Sequence, residues 1–111
     1  MNLDITPEVL VSQLNLGNTE AILNQTKLAI DSTNEFKTFA KHIISLNDQL
    51  KHMNAYIGLS NSKPYLKIKC ENTESIEIVQ EFEEHIKHWS DKYNINLEKV
   101  PHKNVYYILG K

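Results

Sequence analysis

Glu81, His85 and His88 are the residues of this chain whose types and spacing come nearest to a reaction centre. On a helix, positions i, i+4 and i+7 fall on one flank. Two imidazoles and a carboxylate together are ligands that a divalent transition metal accepts. The spacing matches no metal signature such as HExxH, and Cys70 or His102 would complete the set only if the fold carried them there. A solvated flank with local charge pairing accounts for the same three residues. The expectation is therefore no bound metal and no cofactor, with Glu81, His85 and His88 as the residues to examine.

Cys70 is the one cysteine. An intramolecular disulfide is excluded, which suits a reducing cytoplasm. A nucleophilic role would need an adjacent histidine. Its place on the inward side of an alternating segment points instead to a buried, inert thiol.

Tyr56, Tyr65, Lys67, Lys69, Tyr106 and Ile108 are expected to share one face of a sheet. Aromatic rings interleaved with lysines resemble a platform for single-stranded nucleic acid, where bases stack and ammonium groups follow phosphates. The competing expectation is that the N-terminal helices cover this face. Residues 6–25 offer a second route to nucleic acid. Two short helices flank Asn15-Leu16-Gly17-Asn18 in the manner of a helix-turn-helix, with Glu20, Asn24, Gln25 and Lys27 on the reading helix. Little there neutralises phosphate, and a plain helical hairpin explains the segment better.

The remaining chemistry is disfavoured by what is missing. The three glycines, Gly17, Gly58 and Gly110, are too scattered for a phosphate loop or dinucleotide fingerprint, and no nucleophile-elbow motif occurs. All 12 basic residues are lysines, so no guanidinium fork is available to grip phosphate or read guanine. A formal charge of −2 over 111 residues argues against non-specific attraction to nucleic acid or anionic membrane. No apolar run approaches membrane-spanning length, and the first residues lack the pattern of a signal peptide; a cytoplasmic protein is expected.

The elements that must position these residues follow from periodicity. Thr6-Pro7-Glu8 opens a first helix, Gly17 stops it, and Asn18 or Thr19 caps a second running to about Asp31. Ser32 with Glu35 fits a capping box for a third helix. There Phe36, Phe39, Ile43, Leu46, Leu50 and Met53 recur three and four apart in a heptad-like seam. After Asn54 the pattern changes. Residues 55–59 and 65–70 read as a hairpin, and a fourth helix carries Val79, Phe82, Ile86, Trp89 and Tyr93 in one stripe. Residues 95–100 and 104–109 read as two more strands about the turn Pro101-His102-Lys103. The last is apolar on both faces and should lie centrally or at an interface.

The expected architecture is one α+β domain over 1–111, three helices in 1–53 and a β-β-α-β-β unit in 54–111 with a four-stranded, mainly antiparallel sheet. The expected role is that of a protein-interaction or regulatory module without catalytic machinery. Its partner is a protein, a second copy of the chain included, and Phe36, Phe39, Ile43, Tyr106 and Ile108 are the interface candidates. Nucleic-acid binding is the second class, and metal binding or metal-assisted hydrolysis through Glu81, His85 and His88 the third.

Overall fold

The computed structural model describes residues 6–17, 19–71 and 75–111. Four α-helices and four strands follow in the order α1 (Pro7–Gln13), α2 (Glu20–Ser32), α3 (Phe36–Leu50), β1 (Ala55–Leu59), β2 (Leu66–Cys70), α4 (Ile76–Tyr93), β3 (Asn96–Lys99) and β4 (Val105–Gly110). One turn of 3₁₀ helix, Lys51–Met53, extends α3. The N-termini form where hydroxyls cap them. Thr6 accepts from the Val9 amide, Thr19 from Ile22 and Ser75 from Ile78. Asn18, the alternative cap of α2, and Asn72 and Thr73, which by residue type could equally open α4, lie outside the described residues.

The strands form a single sheet in the order β1-β2-β4-β3, every neighbouring pair antiparallel. β2 and β3 therefore run in the same direction with β4 between them, and α4 connects the two. Register fixes the faces. Ile57 lies opposite Ile68, and Ile68 opposite Tyr106, so these share one face with Leu66 and Ile108. Lys67 pairs with Tyr107 and Lys69 with Val105, which puts them on the other face.

The first face is the core. Phe39, Ile43, Leu46 and Leu50 of α3, Phe82, Ile86 and Trp89 of α4, and Ile57, Ile68 and Ile108 of the sheet belong to one buried cluster. α3 and α4 thus lie side by side on the same face, where the N-terminal helices were expected to cover the opposite one. Complete burial of each large side chain is worth roughly 1.5–3 kcal/mol. The Trp89 indole keeps its hydrogen bond by donating to the His42 carbonyl at 3.3 Å. This packing also consumes the interface candidates. Phe36, Phe39, Ile43 and Ile108 are enclosed in the core, and Tyr106 packs against Phe82, ring centroids 6.0 Å apart. Four of the five are thus buried within the chain, and Tyr106 is half-buried against them.

Polar anchors hold the N-terminal half to the sheet. Buried Asn47 of α3 accepts the Ile57 amide at 2.9 Å, occupying a donor on the outer edge of β1. Gln25 of α2 donates to the Ser60 carbonyl at 2.8 Å. Between α2 and α3 the expected capping box does not form. Ser32 ends α2, and Glu35 precedes α3 in a left-handed conformation with no side-chain cap. The cause is tertiary. The Asn34 amide donates to the Leu109 carbonyl, and the Lys111 amide to the Asn34 carbonyl, forming a parallel bridge across Gly110.

That bridge sets a test. Gly110 has φ +118°, and a Cβ there would collide with the Asn34 backbone; Gly17 has φ +99° but open space around it. Gly17→Ala should lose only the conformational term, about 1 kcal/mol. Gly110→Ala should lose about 3 kcal/mol or more, because strain and collision add. Urea midpoints of the two variants check this; equal losses would show that the bridge contributes nothing.

Candidate functional site: the outer face of the sheet

The second sheet face, turned away from the cluster that holds α3 and α4, carries Tyr56 and Gly58 from β1, Lys67 and Lys69 from β2, Val105, Tyr107 and Leu109 from β4, and Glu98 from β3. Its make-up differs from the expected set. Tyr106 and Ile108 turn inward, and Tyr107 and Val105 stand in their places. The reason is parity: successive side chains alternate, so the pairing of Lys67 with Tyr107 decides which of the two adjacent tyrosines is outside.

Local chemistry holds this face in shape. The Ser60 hydroxyl accepts from the amides of Ser62 and Lys63, folding the β1–β2 loop over itself. The Ser62 and Tyr107 hydroxyls share a hydrogen bond at 3.1 Å, tying the loop to β4. With Gln25 on the Ser60 carbonyl, a polar chain runs from α2 through the loop to Tyr107. The Tyr65 ring lies 6.5 Å from that of Tyr107. Lys63 reaches over the Tyr107 ring at 5.5 Å and pairs with Glu98 at 3.3 Å. On β1 the Tyr56 ring folds back beside Gly58, where a Cβ would stand only 3.1 Å from it.

Two hollows flank Lys67. One, of about 550 Å³, separates Leu14, Ile22 and Gln25 of the helical hairpin from Tyr56 and Gly58. The other, of about 630 Å³, lies between the β1–β2 and β3–β4 loops and is lined by Ser62, Lys67, Lys69, His102, Lys103 and Tyr107, among others. His102 adopts φ +62° in a turn closed by the Lys103 amide on the Val100 carbonyl, a position glycine or asparagine ordinarily takes.

The other expected sites are not assembled. Glu81 and His88 are exposed, while His85 bonds to Gln49 of α3 at 2.8 Å. Among the described residues, no group of three His, Cys, Asp or Glu side chains is arranged to hold a metal ion. His85 and His88 instead line a hollow of about 90 Å³ between α3 and α4 with His42, whose ring stacks on Tyr93 at 3.8 Å. Sequence reasoning passed over His42; its one signal is that it stands seven residues before Gln49, on the same side of α3. Cys70 is buried on the core face, its thiol 3.7 Å from the Met53 carbonyl. Residues around 6–25 form a helical hairpin in which Gln25 is spent on Ser60. No described helix is long and apolar enough to cross a membrane.

Comparison of the chain with protein-family models, with curated proteins and with solved structures finds no match.

Two titrations follow from the geometry. The hydroxyls of Ser62 and Ser60, with Lys63 and Lys103, hold Tyr107 below the ordinary 10.0, whereas burial and Glu83 push Tyr106 above it. Side-chain NMR through alkaline pH should show Tyr107 ionising before Tyr106; the reverse order would mean that the register of β4 is wrong. His42 is held below 6.5 by burial and by Lys41, Lys111 and Lys92. A depressed histidine makes the folded state bind fewer protons than the unfolded state. Its contribution is therefore intact above 6.5 and is lost as pH falls through the folded value. His42→Gln should flatten the fall in urea midpoint between neutral and mildly acid pH, and an unchanged profile would remove His42 as its source.

Proposed function

We propose that this protein is a binding module for another protein, and that the outer face of the sheet is its docking surface. The observation that carries this reading is an antiparallel sheet face, turned away from α3 and α4, that carries the half-buried Tyr56, Tyr107 and Leu109, with the Tyr65 ring beside that of Tyr107. Tyrosine supplies large, rigid contact area at low entropic cost, which is why it recurs at protein interfaces. The heptad-like seam gives no support to association, since its side chains are enclosed in the core.

The same face disfavours a symmetric pairing of two copies. A two-fold contact centred on this face would bring the positive patch of Lys67, Lys69 and Lys103 close to that of the second copy, and like charges repel. The partner is accordingly a different protein.

Nucleic acid is the second reading, supported by lysines beside tyrosines on a sheet. Against it, Lys63 already covers the Tyr107 ring, and the Tyr107 hydroxyl is tied to Ser62. Tyr106, one of the rings expected to stack with bases, is on the opposite face, packed against Phe82.

Photo-crosslinking discriminates the surfaces. A photoreactive phenylalanine analogue in place of Tyr107 should give a discrete protein adduct in the native cell. The same group in place of Glu81, on the exposed flank of α4, should give none. Adducts of equal yield from both positions, or an adduct from Glu81 alone, would rule out the sheet face as the docking surface.

A further inference from the structure

The charge on this face identifies what it binds. Fourteen acids outnumber 12 lysines over the whole chain. The hollow between the two hairpin loops nevertheless carries Lys67, Lys69, Lys103 and His102, and among the described residues no acid lines it. The ion pairs of the described residues are Lys51–Asp48, Lys63–Glu98 and Lys99–Glu83. Lys67, Lys69 and Lys103 belong to none of them. A molecule that is acidic overall thus gathers unpaired cations on the sheet face turned away from α3 and α4. Such an arrangement draws in a negatively charged partner and repels a positive one.

Spacing gives the form of that partner. Lys67 and Lys69 are alternate residues on β2, so their side chains leave the sheet on the same side, roughly 7 Å apart along the strand. Lys69 lies opposite Val105, and Lys103 stands two residues before Val105 in the adjoining loop. The cations therefore follow the direction of β2 toward the β3–β4 turn. An extended peptide presents its own alternate side chains at the same interval of roughly 7 Å. Half-buried stems of Lys67 and Lys69 lie along the sheet, with Tyr107 and Val105 beside them as an apolar floor.

We infer that the hollow between the β1–β2 and β3–β4 loops receives an extended acidic segment of a partner protein, one with aspartate or glutamate at alternate positions read by Lys67, Lys69 and Lys103. This rests on the outer face being the docking surface and adds the chemistry of the partner. A nucleic acid would meet the same lysines, but it would find no arginine and would find the Tyr107 ring already occupied by Lys63.

The test uses the full chain, labelled with nitrogen-15, and three probes at low ionic strength. These are a peptide with glutamate and threonine in alternation, a peptide of the same composition with its glutamates in one block, and an oligothymidylate. The alternating peptide should shift the amides of Lys67, Lys69, Lys103, Val105 and Tyr107, and added salt should weaken the effect. Lys67→Gln, Lys69→Gln and Lys103→Gln should each weaken binding about two- to fivefold, the range of exposed charge pairs. Lys37→Gln, on the exposed side of α3, should leave it unchanged, and amide spectra of the free variants confirm folding. Equal affinity for the block peptide would overturn the alternate spacing. Tighter binding of the oligothymidylate would overturn the protein segment in favour of nucleic acid. No shift with either peptide would overturn the acidic partner altogether. If Tyr107 still crosslinked to a protein in that case, the docking face would stand and only its charge preference would fall.

Discussion

The register of β4 against β2 is the constraint on which the rest of this structure depends. With Ile68 opposite Tyr106, every second residue of both strands enters the core, and the intervening lysines and Tyr107 are sent to the other side. A slip of one residue would bury Lys67 and Lys69 beneath α3 and α4, where ionised ammonium groups have no compensating partner. It would also expose Ile68. The buried cluster and the outer face are two consequences of a single pairing.

Helix placement then makes the two faces unequal. α3 and α4 both lie on the inner side, joined through the Trp89 indole on the His42 carbonyl and the stack of His42 on Tyr93. The helical hairpin of α1 and α2 reaches the sheet only at the β1 edge and the adjoining loop, where Gln25 meets Ser60. At the β1 edge, Asn47 occupies the Ile57 amide. At the opposite edge, β3 is short, carries Lys99, and is irregular between Asn96 and Leu97, features that discourage further strand pairing. What remains available to a partner is the outer face and not an edge. Its loops are pinned by the Ser60, Ser62 and Tyr107 hydroxyls, so it is held ready before anything binds, which lowers the entropic cost of association.

Charge and shape agree on this surface. A weakly acidic chain would ordinarily be read as indifferent to electrostatic steering, because the sum over all residues hides where the charges sit. Folding separates them. Lys51, Lys63 and Lys99 are neutralised by neighbouring acids, while Lys67, Lys69 and Lys103 converge on one hollow without such neighbours. The histidines of α4, which looked more suggestive in one dimension, are divided between solvent and the groove against α3.

The sequence by itself determined the local elements. Threonine and serine caps, the seam from Phe36 to Leu50, the stripe of Phe82, Ile86 and Trp89, and the alternation of residues 66–70 each depend on neighbours a few positions away, and each formed as the pattern predicts. Alternation also marked β4 as apolar on both sides, which suits a central strand or an interface; the strand order makes it central. Tertiary structure alone decided which side of β4 meets α4, because either choice satisfies the local pattern and only pairing with β2 breaks the tie. It likewise decided that both long helices share one face, that Asn34 joins β4 instead of capping α3, and that His42 and His85 line one hollow. Contacts across 36 or more residues, such as His85 with Gln49 or Trp89 with His42, leave no periodic trace in the chain, since they arise from packing two surfaces whose separate patterns are complete without them.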